Sequence, residues 1–150
     1  MKLNCFLICD DVRSEVGNKF SLMGLYSNSI NFNVTPLQAG KWPKTLKLGI
    51  FIRLDIENDS DKKDTRKFKI EYTLNNETNV LIEGDIDISS QKDVREINIA
   101  GVINQLLVKG VGETSFKLTL YNKDNVTNNE FIHSHNISIR EQLVNQNNFA

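Results

Sequence analysis

Apolar side chains recur at every second position along most of this chain. Between residues 46 and 56 the even positions are Leu46, Leu48, Ile50, Ile52, Leu54 and Ile56. Alternation of this kind sends one face of an extended strand into a core and leaves the other to water. Phe51 adds an apolar group to the opposite face. The same period runs through Phe68, Ile70, Tyr72 and Leu74, interleaved with Lys67, Lys69, Glu71 and Thr73, and again through Val80, Ile82, Gly84 and Ile86. Residues 75–79 (Asn-Asn-Glu-Thr-Asn) carry turn chemistry, so the two runs predict a β-hairpin. With Leu74 opposite Val80, the inner face pairs Tyr72 with Ile82, Ile70 with Gly84 and Phe68 with Ile86. The outer face pairs Glu71 with Glu83, Lys69 with Asp85 and Lys67 with Asp87.

Further strands are expected over 3–9, 19–26, 30–34, 94–102, 114–121 and 131–140, with Gly17-Asn18 as a tight turn between the first two. The apolar spacing over 102–107 fits a short helical turn, and no longer helical pattern occurs. Many short strands between turn signals read as a sandwich or barrel, and the expectation is an all-β, single-domain antiparallel β-sandwich. Its expected extent is residues 1–140, followed by a polar, flexible C-terminal tail over 141–150.

Composition narrows the function classes. Apolar residues make up 39% of the chain, charged residues 25%, and the net charge is −1. No global field favours nucleic acid or an anionic membrane. The first apolar run stops at Asp10-Asp11, too short for a signal-peptide core, and nothing approaches the roughly 20 apolar residues of a membrane span. A cytoplasmic location is expected. Cys5 and Cys9 lie four residues apart on one strand, about 13 Å between Cα atoms, which is too far for a mutual disulfide.

The segment Cys9-Asp10-Asp11-Val12-Arg13, followed by Gly17, Lys19, Ser21-Leu22, Gly24 and Tyr26, resembles the opening of a family of small bacterial proteins carried as a domain of unknown function. Trp42-Pro43-Lys44, Phe51-Ile52-Arg53 and the Gly112 to Phe116 segment extend the resemblance to about residue 139. It implies an immunoglobulin-like sandwich and no particular activity. The chain departs from the family's pattern in Val16-Gly17-Asn18, where a plain Asn-Gly turn is commoner, and in its Asn-rich tail.

Four groups of residues carry candidate chemistry. His133 and His135, two apart on a strand, would share a face and could hold one metal if Cys5, Cys9, Asp10 or Asp11 supplied further ligands; the alternative is a bulge with hydrogen-bonded histidines. Asp10, Asp11 and Arg13 form a binding cluster or an ion-paired turn. Trp42, in a loop with Pro36, Gly40 and Pro43, anchors a partner or folds back as a lid on the core. The acidic stretch 58–64 lacks the glycine and terminal glutamate of a calcium loop and reads as a solvated loop. The basic run Lys62, Lys63, Arg66, Lys67 and Lys69 is interleaved with acids and has no aromatic platform for nucleic acid.

No nucleophile elbow or phosphate-cradling glycine loop is present. The expectation is a non-catalytic cytoplasmic protein-binding module. It would need no cofactor, bind a protein partner but neither nucleic acid nor membrane, and form homo-oligomers as one option. Two alternatives stand beside it: a structural subunit of a larger, phage-related or secretion-like assembly, and a metal-dependent enzyme with its site at His133/His135.

Overall fold

A computed structural model describes residues 1–145. Ten strands and one short helix follow one another as β1 (Lys2–Glu15), β2 (Lys19–Leu25), β3 (Ser29–Val34), β4 (Lys44–Asp55), α1 (Asp59–Asp64), β5 (Lys67–Leu74), β6 (Glu77–Asp85), β7 (Glu96–Val108), β8 (Gly112–Tyr121), β9 (Thr127–Ile132) and β10 (Ile137–Leu143). One sheet has the order β2-β1-β4-β7. The other has the order β3-β10-β8-β5-β6, with β9 also paired to β8. The fold is an all-β sandwich.

The alternating positions meet between the sheets. Phe6 and Ile8 of β1, Leu48, Ile50, Ile52 and Leu54 of β4, and Ile97 and Ile99 of β7 face Ile70, Tyr72 and Leu74 of β5, Phe116, Leu118 and Leu120 of β8, and Ile137 and Ile139 of β10. Each fully buried Leu, Ile or Phe contributes about 1.5–3 kcal/mol of transfer free energy, so this layer is the main source of stability.

Five expectations need correction. One strand pair, β3 with β10, is parallel. The link 26–28 carries the chain from the first sheet to the second, and β3 then runs beside β10 in the same direction. The β5–β6 hairpin turns on Asn75-Asn76 alone, whose φ values of 50° and 64° are left-handed. Asn tolerates that region, and two such residues make the tight turn that matches strand twist. Leu74 therefore faces Glu77, and a bulge beyond Ile70 sets Ile70 against Ile82, Phe68 against Gly84, Lys69 against Glu83 and Lys67 against Asp85. Glu71 faces Val80, which removes the expected Glu71–Glu83 opposition.

The third correction concerns β7, which continues through 102–107 as strand. Leu48 faces Ile103 while Leu46 faces Leu106, so β7 carries an extra residue. That bulge gives Val102, Ile103, Leu106 and Leu107 the spacing of a helical turn. Fourth, the stretch 58–64 is no plain loop. Asn58 caps α1 by accepting from the Asp61 N–H at 3.0 Å, and Lys62 is buried. Fifth, the expected tail begins as structure: Glu141–Leu143 complete β10, paired with Phe32, Asn33 and Val34. Residues 146–150 lie outside the described residues.

The N-terminal hairpin bends. β1 pairs with β4 only as far as Cys9, which faces Gly49. Beyond that point β1 and β2 fold across the outer face of β4, with the Phe20 ring 5.2 Å from that of Phe51. Gly49 permits the crossing. A Cβ there would stand 2.9 Å from Cys9 Sγ and 3.1 Å from both the Asp11 carbonyl carbon and Val12 Cγ2. One of these neighbours is backbone, so it yields little. Gly49→Ala is expected to destabilise the fold by about 1–3 kcal/mol, the usual cost of overpacking, read as a lower urea midpoint. An unchanged midpoint would show that the hairpin does not press on β4.

Candidate functional site

Asp10, Asp11 and Arg13 follow the strand expected over 3–9, but they lie within β1, where the hairpin bends. The bend has a defined chemistry. Gly24, opposite Asp10, has a φ of +65°, and a Cβ there would run into the Asp10 carboxylate. The Tyr26 hydroxyl donates to Asp10 Oδ1. Burial, and then the Asp10 carboxylate, push the Tyr26 hydroxyl well above its ordinary range, so it remains a donor. Asp11 accepts from Arg13 Nε at 3.0 Å and pairs with Lys47 Nζ of β4 at 3.1 Å. The cluster thus ties the folded-over hairpin to the strand beneath it. Cys9 lies under the bend, fully buried, and desolvation raises its thiol above the ordinary value. A thiol so placed is a poor nucleophile.

Trp42 lies at the end of the loop 35–43. Its ring meets Phe32 edge-on at 5.6 Å, and Lys44 Nζ sits 4.6 Å from its centre. The indole is half-buried against the core. The loop is held from several sides. Gln38 and Ala39 donate to the Thr35 carbonyl, and the Glu141 carboxylate accepts from the Gly40 N–H at 3.0 Å and pairs with Lys44 at 3.1 Å. The Gly40 N–H, and then Lys44, hold the Glu141 carboxyl below its usual value. The large apolar side chain that this loop exposes is Leu37, at 79%. Sequence reasoning passed over Leu37. Its position between Pro36 and the turn residues was the available signal.

His133 and His135 do not sit on a regular strand. Lys117 faces Ile132 and Thr114 faces Ile137, so residues 133–136 form a bulge between β9 and β10. The His133 N–H still reaches the Phe116 carbonyl at 2.9 Å, and its ring enters the core edge-on to Phe6 at 5.4 Å. His133 Nδ1 lies 2.7 Å from the His135 carbonyl oxygen, to which it donates. His135 is exposed. Among the described residues no group of three or more His, Cys, Asp or Glu is placed to hold a metal, and two of the candidate further ligands, Asp10 and Asp11, are engaged at the hairpin bend.

The two ends of the sandwich differ in character. Val34 faces Leu143, Thr45 faces Leu107, and Asn75 Nδ2 donates to the Val111 carbonyl, so these residues share one end with the 35–43 loop. Leu37, Leu107, Val111 and Leu143 are all more than half exposed there. The opposite end carries α1 and the segments 86–95 and 122–126, which are rich in charge. A shallow groove of about 480 Å³ on the outer face of the second sheet runs between Lys67, Lys69 and Tyr121 on one side and Glu83 and Asp85 on the other.

The Asp11 ion pairs set a pH dependence. Its carboxyl is held below the ordinary value by Arg13 and then Lys47. A depressed folded-state value adds stability above the unfolded value and loses it as pH falls through the folded one. Asp11→Asn is therefore expected to unfold at lower urea than wild type at about pH 6 and to converge with it in acid, as pH falls through the lowered folded-state value. A gap that persists undiminished in acid would show that the carboxylate's charge contributes nothing.

No helix among the described residues is long and apolar enough to cross a membrane. No curated protein matches the chain. The sequence profile of one family, a family of unknown function designated DUF6941, matches residues 4–130. That stretch takes in the bend at Asp10, the Trp42 loop and the strands from β1 into β9, and the chain belongs to this family.

Proposed function

We propose that this chain is a non-catalytic protein-interaction module of the cytoplasm that engages its partner through the apolar end of the sandwich. One observation carries the reading: Leu37, Leu107, Val111 and Leu143 are exposed together at one end, Leu107 and Leu143 on strand ends and Leu37 and Val111 on loops held by backbone, amide and carboxylate hydrogen bonds. Single exposed apolar residues are ordinary, but several gathered on anchored loops and strand ends at one end of a scaffold have the character of a contact surface. Rigid loops lose little entropy on binding, which favours affinity. Cys5 and Cys9, both free thiols, fit a reducing compartment. Cys9 is buried and protonated, and His133 is engaged by backbone, so neither supports a catalytic role.

The test is affinity capture with the full chain and two variants. Leu37→Asp/Leu107→Asp alters the apolar end, and Val126→Asp alters the other. All three side chains are exposed, so stability is expected to change by about 0.5 kcal/mol or less. A specific protein should be retained by wild type and Val126→Asp and lost with the double variant. Identical retention by all three would overturn the reading.

A further inference from the structure

The basic residues around α1 form more than a solvated face. Between α1 and the segment 88–95 lies a cavity of about 370 Å³, lined among others by Asp59, Lys62, Lys63, Gln91, Lys92 and Arg95. Its walls are held by main-chain bonds: Thr65 N–H to the Asp61 carbonyl at 3.1 Å, Gln91 N–H to the Ile88 carbonyl at 3.1 Å, and Ile56 N–H to the Arg95 carbonyl at 2.8 Å. The cavity is thus built before any ligand arrives.

Lys62 is its unusual member. The residue is only 6% exposed, although lysine is among the residues least often buried. Its ammonium donates to the carbonyls of Gln91 at 3.2 Å and Lys92 at 2.9 Å. Both acceptors are neutral. Among the described residues no carboxylate forms an ion pair with Lys62, nor with Lys63, Lys92 or Arg95. An ammonium has three N–H donors, and two are used. A buried charge without a counter-charge is unfavourable, and an incoming anion would offset that cost. Around the cavity four cations stand against the single carboxylate of Asp59.

We propose that this cavity binds a compact phosphate-bearing anion, with Lys62 as the buried anchor and Lys63, Lys92 and Arg95 closing around it. Lysine acts as a point charge toward phosphate, and arginine adds a planar fork that suits two phosphate oxygens. The volume lies at the low end for small-molecule sites. No aromatic side chain lines the cavity, so nothing offers a stacking surface for a nucleobase. Those two facts favour a small, highly charged ligand over a nucleoside or a nucleic-acid strand. The site is independent of the apolar end of the sandwich.

Titration calorimetry of the full chain at constant ionic strength tests this, with inorganic phosphate and pyrophosphate as probes. Saturable one-site binding of at least one probe is expected. Saturation with pyrophosphate alone would assign the site to a diphosphate group, and saturation with both to a single phosphate group. Lys92→Gln/Arg95→Gln, at exposed side chains, should weaken binding at least about tenfold with an unchanged circular dichroism spectrum. Asp59→Asn should tighten binding, because it removes the one opposing carboxylate. Lys123→Gln, at the same end but outside the cavity, should leave it unchanged. Absence of saturable binding by wild type would overturn the proposal. So would full affinity in Lys92→Gln/Arg95→Gln, or an equal loss in Lys123→Gln, which would mean diffuse attraction and no site.

Discussion

Strand β4 is buried on both faces, and that constraint organises the molecule. Leu48, Ile50, Ile52 and Leu54 point into the sandwich, while Gly49 and Phe51 on the other face are covered as well. A sheet in a two-layer sandwich ordinarily leaves its outer face to water. Here the outer face of β4 carries Phe51, which requires a cover. The N-terminal hairpin supplies it by bending at Asp10 and Gly24 and laying Val12 and Phe20 over β4. The apolar area gained at Phe51 favours the bend, and the local groups make it accessible. Gly24 takes the left-handed backbone that an ordinary residue resists, and Gly49 lets the crossing chain come close.

This explains why the opening of the chain has the composition it has. Cys9, Asp10, Asp11, Val12, Gly24 and Tyr26 are scattered over two strands in sequence, yet all act at one bend. Asp10 accepts from Tyr26, Asp11 bridges to Lys47 on the covered strand, and Cys9 fits its small, apolar sulfur against the gap at Gly49. A carboxylate pair in a cleft would suggest acid–base chemistry. At this bend each carboxylate already has a donor, Asp10 from Tyr26 and Asp11 from Arg13 and Lys47.

The sandwich was legible in the sequence because parity survives wherever strands run unbroken. Ile50, Ile52 and Leu54 face the core as their period requires, as do Leu118 and Leu120. What parity cannot show is an inserted residue. The bulge in β7 disguised strand as a helical turn, and the extra residues at 133–136 turned an expected strand face into an irregular loop. The hairpin register failed for a related reason: residues 75–79 all carry turn chemistry, and only the backbone angles show that Asn75 and Asn76 suffice. The surroundings of the candidate residues were not legible. Asp10 and Asp11 depend on a bend caused by Phe51, some forty residues away. Lys62 reads as one charge among many, and only the segment 88–95 folding over it makes it a buried cation.

The distribution of these features follows from the topology. Both sheets present their connections at the two ends of the sandwich, so each end collects loops from distant parts of the chain. At one end the loops are tied to strands by carboxylate and amide groups, with apolar tips such as Leu37 facing water. At the other, the links between β4 and β5 and between β6 and β7 are longer and pack against each other, enclosing the ammonium of Lys62. An apolar tip and an enclosed cation call for different partners: the first is satisfied by burying surface, the second by a counter-charge. A rigid two-sheet core separates them, so under the two proposals each end would be occupied without disturbing the strands that fix the other.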